Sequence, residues 1–593
     1  MQKYMNLATS LMLNYNYCSS ICLYEYLVIG LARHAFSIII LLCLTVLLVS
    51  AAGCIDPGQA ELEPVSDEQI SEMNNALLPV IQIVEDEMES VTSSLWDTAR
   101  ELDGIPADDP AVKLALYKLR SEIPLSIEIG RFDRNNTLIS TTRYLDPWWI
   151  PGVTKSRLNY PVDVLEAAGS SCVVSDFYQY QDGDRGLMII TPVYDVNGEY
   201  DGVLRLSYDI DSLFSGLTEY LKNEYGYTLW AMHTTSLKFY DEDSLEIGKY
   251  LTSDPAYQTP ELQNMVNTVL TNESGNISYN FFDTSRGEET QINAVWNTAY
   301  IGPEKEWRVV LTDDVPESAG TGGTNVTVEE LKSFVENAYV YATKVGMTEA
   351  LAAYNKQTGD FIDGELYIYA YDMNGTVLAL PYQPDLIGEN RWYLQDTTGI
   401  KHMQRTVARA NLGGGFVLYL YENPANNFVR EMKLAYVMAI DDTWFIGSGI
   451  YLEDQPFSDT GYIDWQKREE LVTQVRGMDY LAIVEGIPAV TALINDPTSD
   501  LNAQEGLYPF AITEDGTMLA YSMDPSLVGT NQLSMNNSYG MSIMREVISL
   551  SQEGGGLMYS KVWDPKTMKE TFVLVYIEPA NDATYFGSML VID

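Results

Sequence analysis

Apolar residues recur at helical spacing in two long stretches of the chain. In residues 65–102 the spacing is seven, and the positions are Ile70, Leu77, Val84 and Val91. In Val328–Asn355 the apolar positions recur mostly at every third or fourth residue. Such periodicity predicts amphipathic helices that bury one face. The first stretch is either a coiled-coil-like stalk or the spine helix of a folded module, and we favour the spine.

Alternating apolar and polar positions follow the second helical stretch. A strand "GELYIYAYD", a turn "MNG" and a second strand lead to a bend at Asp385–Gly388. A short helix is expected near Lys401–Ala410, and alternation predicts strands at 416–422, 431–440 and 444–451. This order of elements predicts an α+β module built on an antiparallel five-stranded sheet.

The module recurs along the chain. Gly248, Gly388 and Gly529 follow one another at nearly equal steps, and a second glycine follows each of them at one fixed interval, as Gly275, Gly415 and Gly556. The copies end alike, in "EWRVVLTDD", "TWFIGSGIYLED" and "TYFGSMLVID". The glycine run in "ANLGGGFVLYLYE" is therefore a turn before a strand. A phosphate-binding loop would need a helix start with a Lys and a Ser or Thr close by.

Composition narrows the class of partner. The 593 residues are 46% hydrophobic and 11% aromatic, so the chain can bury several cores. The formal net charge is −48, from 35 Lys and Arg against 83 Asp and Glu. Nucleic acid and anionic lipid surfaces are disfavoured as partners, because binding them needs clustered cations. We interpret the charge as a solvated acidic surface.

An export leader is predicted at the N-terminus. Arg33 and His34 precede the apolar run Phe36–Gly53, and small residues lead directly to Cys54. This order is typical of a signal peptide with a lipoprotein cleavage box, in which Cys54 becomes the lipidated first residue. The alternative is an uncleaved anchor helix. Either case predicts an extracytoplasmic chain, anchored to the membrane at the cell surface by its N-terminus.

The strand motifs resemble a known family. The sequences "DMNG", "PDLIGEN", "KLAYV" and "WFIGSGIY" are similar to those of the Cache family of PAS-like extracytoplasmic sensing modules. The resemblance implies tandem PAS-like modules in a row, each with a central antiparallel five-stranded sheet and a long N-terminal helix. The implied segments are a leader at 1–54, a double Cache at 55–320 (distal module 65–215, proximal module 216–314), a single Cache at 326–455 and a diverged single Cache at 465–593.

The resemblance also implies a small ligand between the sheet and its overlying loops. In the middle module (326–455) the candidate ligand-binding residues are Tyr367, Tyr369, Arg391, Trp392, Asp396, Tyr419 and Lys433. Arg391 could clamp a carboxylate and Lys433 could add positive charge. By period two, Lys433 and Tyr436 point to opposite sheet faces, so Tyr436 would be core. In the alternative interpretation Tyr419 is also core, and Arg391 pairs with Asp396 at the surface.

The other modules differ at these positions. In the C-terminal module (465–593), the step that relates Gly388 to Gly529 places Gln532 at the position of Arg391 and Leu574 at that of Lys433, so the cationic pair is missing. That module binds something neutral or serves as a spacer. In the distal module, "RYLDPWWIPG" partly matches the Arg and aromatic cluster with which many double Caches bind amino acids, at a different spacing. The candidates there are Arg143, Trp148, Trp149, Tyr180 and Asp209.

Motifs of catalysis are missing from the sequence. His233 and His402, the histidines beyond Cys54, have no Cys, His or carboxylate at metal-ligand spacing. We therefore expect no enzymatic activity, no metal and no cofactor. The leading hypothesis is a membrane-tethered sensor of small carboxylates or related metabolites that signals through a membrane receptor or transporter partner. The alternatives are a solute-binding lipoprotein that feeds a transporter and a surface scaffold without ligand.

Overall fold

The computed structural model describes most of the chain beyond the leader. The described residues are 65–142, 172–175, 178–179, 185–243, 246–283, 288–302, 305–313, 326–396, 398–426, 429–452, 465–581 and 583–592. The predicted leader with Cys54 lies outside them, and so do Arg143, Trp148, Trp149 and Tyr180. Within these ranges we find no helix whose length and apolar content would let it span a bilayer.

One long helix serves two sheets in the N-terminal part. Helix α1 begins after Ser66, whose side chain accepts a hydrogen bond from the Gln69 amide. Its apolar face packs against strands of both the distal and the proximal sheet. The predicted spine helix is therefore confirmed. The distal elements are α1 (Asp67–Glu101), α2 (Pro110–Glu122), β1 (Ser126–Asp133), β2 (Leu138–Thr141), β3 (Val173–Val174), β4 (Tyr178–Gln179), β5 (Arg185–Tyr194) and β6 (Tyr200–Tyr208).

The remaining modules each add helices and a five-stranded sheet. The proximal elements are α3 (Ile210–Tyr225), β7 (Thr228–His233), β8 (Lys238–Asp241), α4 (Pro260–Thr271), β9 (Gly275–Asp283), β10 (Glu288–Gly302) and β11 (Lys305–Thr312). The middle elements are α5 (Val328–Val345), α6 (Met347–Tyr354), β12 (Ile362–Asp363), β13 (Leu366–Tyr367), β14 (Tyr369–Asp372), β15 (Val377–Ala379), α7 (His402–Asn411), β16 (Gly415–Asn423), β17 (Val429–Ala439) and β18 (Trp444–Tyr451). The C-terminal elements are α8 (Trp465–Glu485), α9 (Ile487–Asn495), β19 (Leu507–Thr513), β20 (Met518–Tyr521), α10 (Ile543–Gln552), β21 (Gly556–Asp564), β22 (Lys569–Asn581) and β23 (Thr584–Ile592).

The last three sheets share one antiparallel strand order. The orders are β8-β7-β11-β10-β9, β15-β14-β18-β17-β16 and β20-β19-β23-β22-β21. In each sheet the last strand of the module lies in the centre, and every residue of β18 is buried. The fold class predicted from the sequence, tandem α+β modules on five-stranded antiparallel sheets, is therefore confirmed.

The predicted helix Val328–Asn355 is divided into α5 and α6. Gly346 separates them with φ 84° and ψ 165°, a backbone conformation that favours glycine. The start of α5 is defined by a capping box, in which Thr327 and Glu330 satisfy each other's backbone amides. Apolar spacing alone did not reveal the break, because the same face continues into α6.

The register of the sheets corrects one sequence alignment. Tyr436 lies opposite Ser448 in the middle module, and Tyr576 lies opposite Ser588 in the C-terminal module. The glycines Gly415 and Gly556 begin equivalent strands, but the hairpin that follows is shorter by one residue in the C-terminal module. Every position after that hairpin is therefore displaced by one, and Val573 rather than Leu574 is the counterpart of Lys433.

Contacts join modules that are not adjacent in the sequence. Arg120 of α2 donates to the Glu578 carboxylate of β22 at 2.7 Å, and Arg476 of α8 donates to it at 3.2 Å. Glu578 is 1% exposed, so this contact between the distal and C-terminal modules is buried. The middle and C-terminal modules also share one hydrophobic cluster. The distal, middle and C-terminal modules therefore pack against one another through polar and apolar contacts.

Candidate ligand-binding site

Alternation along the middle sheet separates an apolar face from a face rich in tyrosine. Leu418, Leu420 and Leu434 pack with α5 on one side. Tyr419 and Tyr421 of β16 belong to the cluster on the other side. The same side also contains Tyr367, Tyr369 and Tyr371. Because strand side chains alternate, each pattern of period two defines one face.

Lys433 lies at the centre of the tyrosine-rich face. It is opposite Tyr419 on β16 and opposite Tyr451 on β18. Its side chain is 1% exposed, and Nζ donates to the hydroxyls of Tyr367 at 2.8 Å and Tyr451 at 3.3 Å. The rings of Tyr367, Tyr369, Tyr421 and Tyr451 lie 4.5–5.7 Å from Nζ. Lys433 forms no ion pair within the part of the chain that is described.

Burial without a counter-ion changes the charge of Lys433. Taking the ammonium out of water lowers the pKa of Lys433 to about 7, and Glu365 raises it only in part. The amine therefore changes protonation near neutral pH. A bound anion would restore the charged form, because a nearby negative charge raises the pKa of a lysine.

Two glycines of β18 provide space for this face. A Cβ at Gly449 would lie 2.6 Å from Cε of Lys433. A Cβ at Gly447 would lie 2.6 Å from the Tyr369 ring. Both distances are shorter than real side chains allow. The motif "WFIGSGIY" therefore leaves room for the lysine stem and for one ring of its cage.

Arg391 supplies a second buried cation. It is 9% exposed, and Nη1 donates to the Tyr421 hydroxyl at 3.4 Å. That hydroxyl donates to Gln383 at 3.2 Å, and Gln383 donates to the Glu422 carboxylate at 3.0 Å. The one side-chain hydrogen bond of Arg391 is long, so most of its five N–H groups have no protein acceptor among the described residues.

His402 completes the face from the first turn of α7. Its ring stacks on Tyr419 with centroids 4.9 Å apart and planes 14° apart. It is 4% exposed, and both ring nitrogens lack a hydrogen-bond partner among the described residues. Burial first, then the charges of Arg391, Arg430 and Lys433, lower the pKa of His402 to about 3. The imidazole is therefore neutral at physiological pH.

The structure brings most, but not all, of the middle-module candidates together. Tyr367, Tyr369, Arg391, Tyr419 and Lys433 belong to this face, and Trp392 packs at its edge. Asp396 lies in the turn before α7, where it accepts hydrogen bonds from the Thr398 and Ile400 amides. No ion pair joins Asp396 to Arg391 within the described residues. Tyr436 lies on the opposite face, as its period predicted.

The distal candidate Asp209 has a local structural role. It is the N-cap of α3, where its carboxylate accepts from the Ser212 amide at 3.0 Å and from the Ser212 hydroxyl at 2.6 Å. Such a cap satisfies a backbone donor that the first helical turn leaves free. Asp209 already has two donors for its carboxylate before any ligand is considered.

Sequence reasoning missed several residues of the middle site. These are Tyr371, Gln383, His402, Tyr421 and Tyr451. Period two would have found Tyr371 and Tyr421, because each follows a chosen tyrosine at the next position but one. His402 was examined only as a metal ligand, and no group of three or more metal-binding side chains is present in the described segments.

The same face of the C-terminal module is mostly apolar, with the buried Ser560 at the position of Tyr419. Its cluster contains Phe510, Ile512, Ile543, Val562 and Val573. By register, Val573 replaces Lys433 and Ile543 replaces His402. Met589, fully buried, replaces Gly449. Side chains of the protein fill the space that polar groups line in the middle module.

A second buried lysine, in the proximal module, has carboxylate partners. Lys238 donates to Asp241 at 2.7 Å and to the Tyr257 hydroxyl at 2.9 Å. Glu246 lies 3.4 Å from Nζ and accepts from the Tyr257 hydroxyl. Burial lowers the pKa of Lys238, but Asp241, Tyr257 and Glu246 outweigh it and the pKa is raised. This cation is balanced within the protein.

Comparison with protein families identifies the last two modules. The model "Single Cache domain 2" matches residues 339–457 and 482–579. The middle and C-terminal modules are single Cache domains. An 89-residue stretch is 33% identical to the sensor histidine kinase MctS of Rhizobium johnstonii and covers 15% of this chain. The match spans about a fifth of that relative, 19% of its length.

Solved structures with similar segments come from bacterial receptors. An extracellular ligand-binding receptor from Desulfohalobium retbaense is 15% identical, with 42% of this chain and 41% of that chain covered and a TM-score of 0.33. The ligand-binding domain of the Pseudomonas aeruginosa amino-acid chemoreceptor PctC, in complex with GABA, is also 15% identical. There the coverage is 42% of this chain and 99% of that chain, and the TM-score is 0.31.

Proposed function

We propose that the middle Cache domain binds a small carboxylate or related anion and that the protein is a sensor. The main support is Lys433, a fully buried amine in a cage of tyrosines without a carboxylate partner in the described chain. Burying an unpaired charge is costly, so proteins usually pair such a group or bind an ion at it. Arg391 lies on the same face with unused donors, and it suits bidentate binding of a carboxylate.

The proposal assigns the other modules supporting roles. Residues 65–314 form a double Cache in which α1 supports two sheets, and the C-terminal module serves as a spacer because its equivalent face is mostly apolar. The N-terminal leader anchors the chain outside the cytoplasm, either through lipidated Cys54 or through an uncleaved helix. The ligand state passes to a membrane receptor or transporter, and no catalytic step is assigned.

Thermal unfolding of the purified full-length protein tests the ligand class. Small carboxylates, amino acids and neutral metabolites of similar size are screened for a rise in midpoint. We expect small carboxylates to raise the midpoint, because a ligand at about 100 times its Kd stabilises the folded state by about 2.7 kcal/mol. Arg391→Ala should abolish the response, because the anion loses its bidentate partner.

Lys238→Met provides the matched control. It removes a buried lysine from the proximal module, where Asp241 and Glu246 balance the charge. We expect this variant to unfold at lower temperature but to keep the rise in midpoint with carboxylates. A response to neutral compounds alone, or a full response in Arg391→Ala, would contradict an anion site in the middle domain.

A further inference from the structure

Helix α8 of the C-terminal module is buried on two sides. It packs against β22 and β23 of its own sheet and against α2 of the distal module. Three of its buried residues are polar, namely Gln474, Arg476 and Asp479. A helix that packs only on its own sheet keeps polar side chains on the side that faces solvent. The second buried side of α8 is therefore a polar contact surface for another module.

Arg476 reaches from α8 into the distal module. Its Nη1 donates to the carbonyl oxygens of Ile123 and Pro124 at 3.1 and 2.8 Å and to the Ser126 hydroxyl at 3.1 Å. Its Nη2 donates to the Ser126 carbonyl oxygen at 3.0 Å. These four acceptors lie between the end of α2 and the start of β1. A planar guanidinium can contact several acceptors at fixed angles, so this segment is bound in one orientation.

Glu578 of β22 binds the distal module beside Arg476. Arg120 of α2 donates to both of its carboxylate oxygens, at 2.7 and 2.8 Å, and Arg476 Nε donates at 3.2 Å. The Tyr576 hydroxyl donates to it as well. Burial raises the pKa of Glu578, but the charges of Arg120 and Arg476 and these hydrogen bonds outweigh burial, and the pKa is lowered. Glu578 is therefore ionised.

Asp479 places a second carboxyl group against Glu578. The two side chains form a hydrogen bond, and Asp479 is 4% exposed. Two carboxyl groups can form a hydrogen bond only when one of them carries a proton. Because Glu578 is held in its charged form, the proton belongs to Asp479. Burial and then the charge of Glu578 raise the pKa of Asp479 well above its ordinary range.

The other ionisable groups around Asp479 do not reverse this assignment. Arg120 and Arg476 favour its charged form, but burial and Glu578 outweigh them. Tyr117 of α2 acts on Asp479, and burial raises the pKa of Tyr117, so the phenol is neutral. The remaining charged side chains of α2 are exposed, and α9 carries no ionisable side chain. The tyrosines of β19 and β23 belong to the cluster on the opposite sheet face.

We call the contact of α8 and β22 with α2 the clasp. We propose that the C-terminal domain holds the distal module through this clasp and that one proton between Asp479 and Glu578 keeps it closed. The proposal goes beyond the anion site of the middle domain and does not depend on it. Loss of the proton leaves two negative carboxylates in contact at a buried junction, where like charges repel. Separation of α8 from α2 relieves this repulsion, so rising pH opens the clasp.

The proton gives the clasp a defined pH dependence. The closed clasp keeps a proton on Asp479 that the open form releases above its ordinary pKa of 3.8. The equilibrium constant for opening therefore rises by up to tenfold for each pH unit. Glu578 has the opposite shift, and it contributes only near and below its ordinary pKa of 4.5. From pH 5.5 to 7.5 the dependence comes from Asp479.

Hydrogen exchange of the full-length protein from pH 5.5 to 7.5 tests the shared proton. Asp479→Asn keeps a donor toward Glu578 but has no proton to lose in this range. Since α2 packs on α8, its amides report opening of the clasp. We expect the opening constant of the wild type, divided by that of Asp479→Asn at the same pH, to rise by up to tenfold for each pH unit. Asp500→Asn removes an exposed carboxylate from the same domain and should keep the wild-type dependence.

Arg120→Met tests the contact itself from the distal side. The change removes both hydrogen bonds of Arg120 to Glu578 and leaves every residue of the C-terminal domain in place. We expect the α2 amides to exchange roughly tenfold or more faster at pH 7, because a buried carboxylate loses a charged partner. The amides of β19 should stay protected, which shows that the C-terminal domain is still folded.

Two results would overturn the inference. A ratio of opening constants that stays the same from pH 5.5 to 7.5 would overturn the proton between Asp479 and Glu578. Unchanged exchange of α2 in Arg120→Met would overturn the clasp. Neither result bears on the anion site, because the effect of carboxylates on the unfolding midpoint is measured separately and depends on the middle domain.

Discussion

The middle and C-terminal domains have the same strand order but opposite chemistry on one face of the sheet. The middle domain places Lys433 beside Gly449, and the C-terminal domain places Val573 beside Met589 at the same two positions. A long side chain next to glycine in one domain becomes a short side chain next to methionine in the other. The Val and Met side chains together have more atoms than the Lys and Gly side chains, so the C-terminal pair occupies more of its face and carries no ionisable group.

This difference shows how one fold can carry buried cations on a sheet face or replace them with apolar side chains. Interiors are closely packed, so a polar side chain is accommodated only when a neighbour becomes smaller. The exchange extends beyond the pair, because His402 and Arg391 of the middle domain correspond to Ile543 and Gln532. The C-terminal sheet has a continuous apolar cluster on this face, which suits packing rather than recognition of an anion.

The largest expected effect comes from moving the lysine into the C-terminal domain. Val573→Lys buries an amine among apolar side chains without the tyrosine cage. We expect a loss of roughly 3–5 kcal/mol at pH 7, since burial can shift a lysine pKa by several units and each unit corresponds to about 1.4 kcal/mol. Hydrogen exchange of β22 amides measures it locally. Protection equal to that of the wild type would show that this face tolerates charge.

A smaller effect is expected when the methionine is moved into the middle domain. Gly449→Met places a side chain where a Cβ would already lie 2.6 Å from Cε of Lys433. Overpacking of this kind costs about 1–3 kcal/mol. The double variant Gly449→Met with Lys433→Val reproduces the C-terminal pair and should recover most of the lost stability without recovering the carboxylate response. Hydrogen exchange of β17 amides in the two single variants and the double variant gives the coupling energy between the two positions. If the stability losses of the single variants simply add in the double variant, positions 433 and 449 do not pack directly against each other.

The smallest expected effect is a dependence of the free energy of unfolding on pH that comes from the titration of Lys433. Its pKa is lowered to about 7 in the folded protein, against an ordinary value of 10.5. Between these values the unfolded chain binds more protons, so the free energy of unfolding should rise with pH, by about 1 kcal/mol per unit. Lys433→Met removes this contribution, and the difference between the two proteins from pH 7.5 to 9.5 measures it. Parallel curves would mean that Lys433 stays charged when buried.

The sequence was sufficient to predict the module and its repetition. The glycine spacing and the alternating strands predicted five-stranded antiparallel sheets, and the period of β17 predicted that Lys433 and Tyr436 lie on opposite faces. These features depend on local backbone geometry, which residues close in the chain specify. The break at Gly346 was missed because a helix interruption need not change the apolar face.

The groups around Lys433 and His402 could be identified only from the tertiary structure. Lys433 is brought to Tyr367, 66 residues away, and to Tyr451, 18 residues away, by the pairing of strands from different parts of the module. The missing carboxylate partner of Lys433 and the unsatisfied nitrogens of His402, both judged within the described residues, are properties of that assembly. No residue type or spacing reveals them, because they depend on which described groups the fold keeps away from Lys433 and His402.

The sequence by itself determined the α+β class, the repeated module and the faces of single strands, because these follow from the short periodicities of strands and helices. Only the tertiary structure decided the strand register that makes Val573 the counterpart of Lys433, the contact of Glu578 with Arg120 and the groups around each buried cation. The physical reason is distance along the chain. Charge balance and packing in a core depend on residues that the sequence separates and the fold brings together.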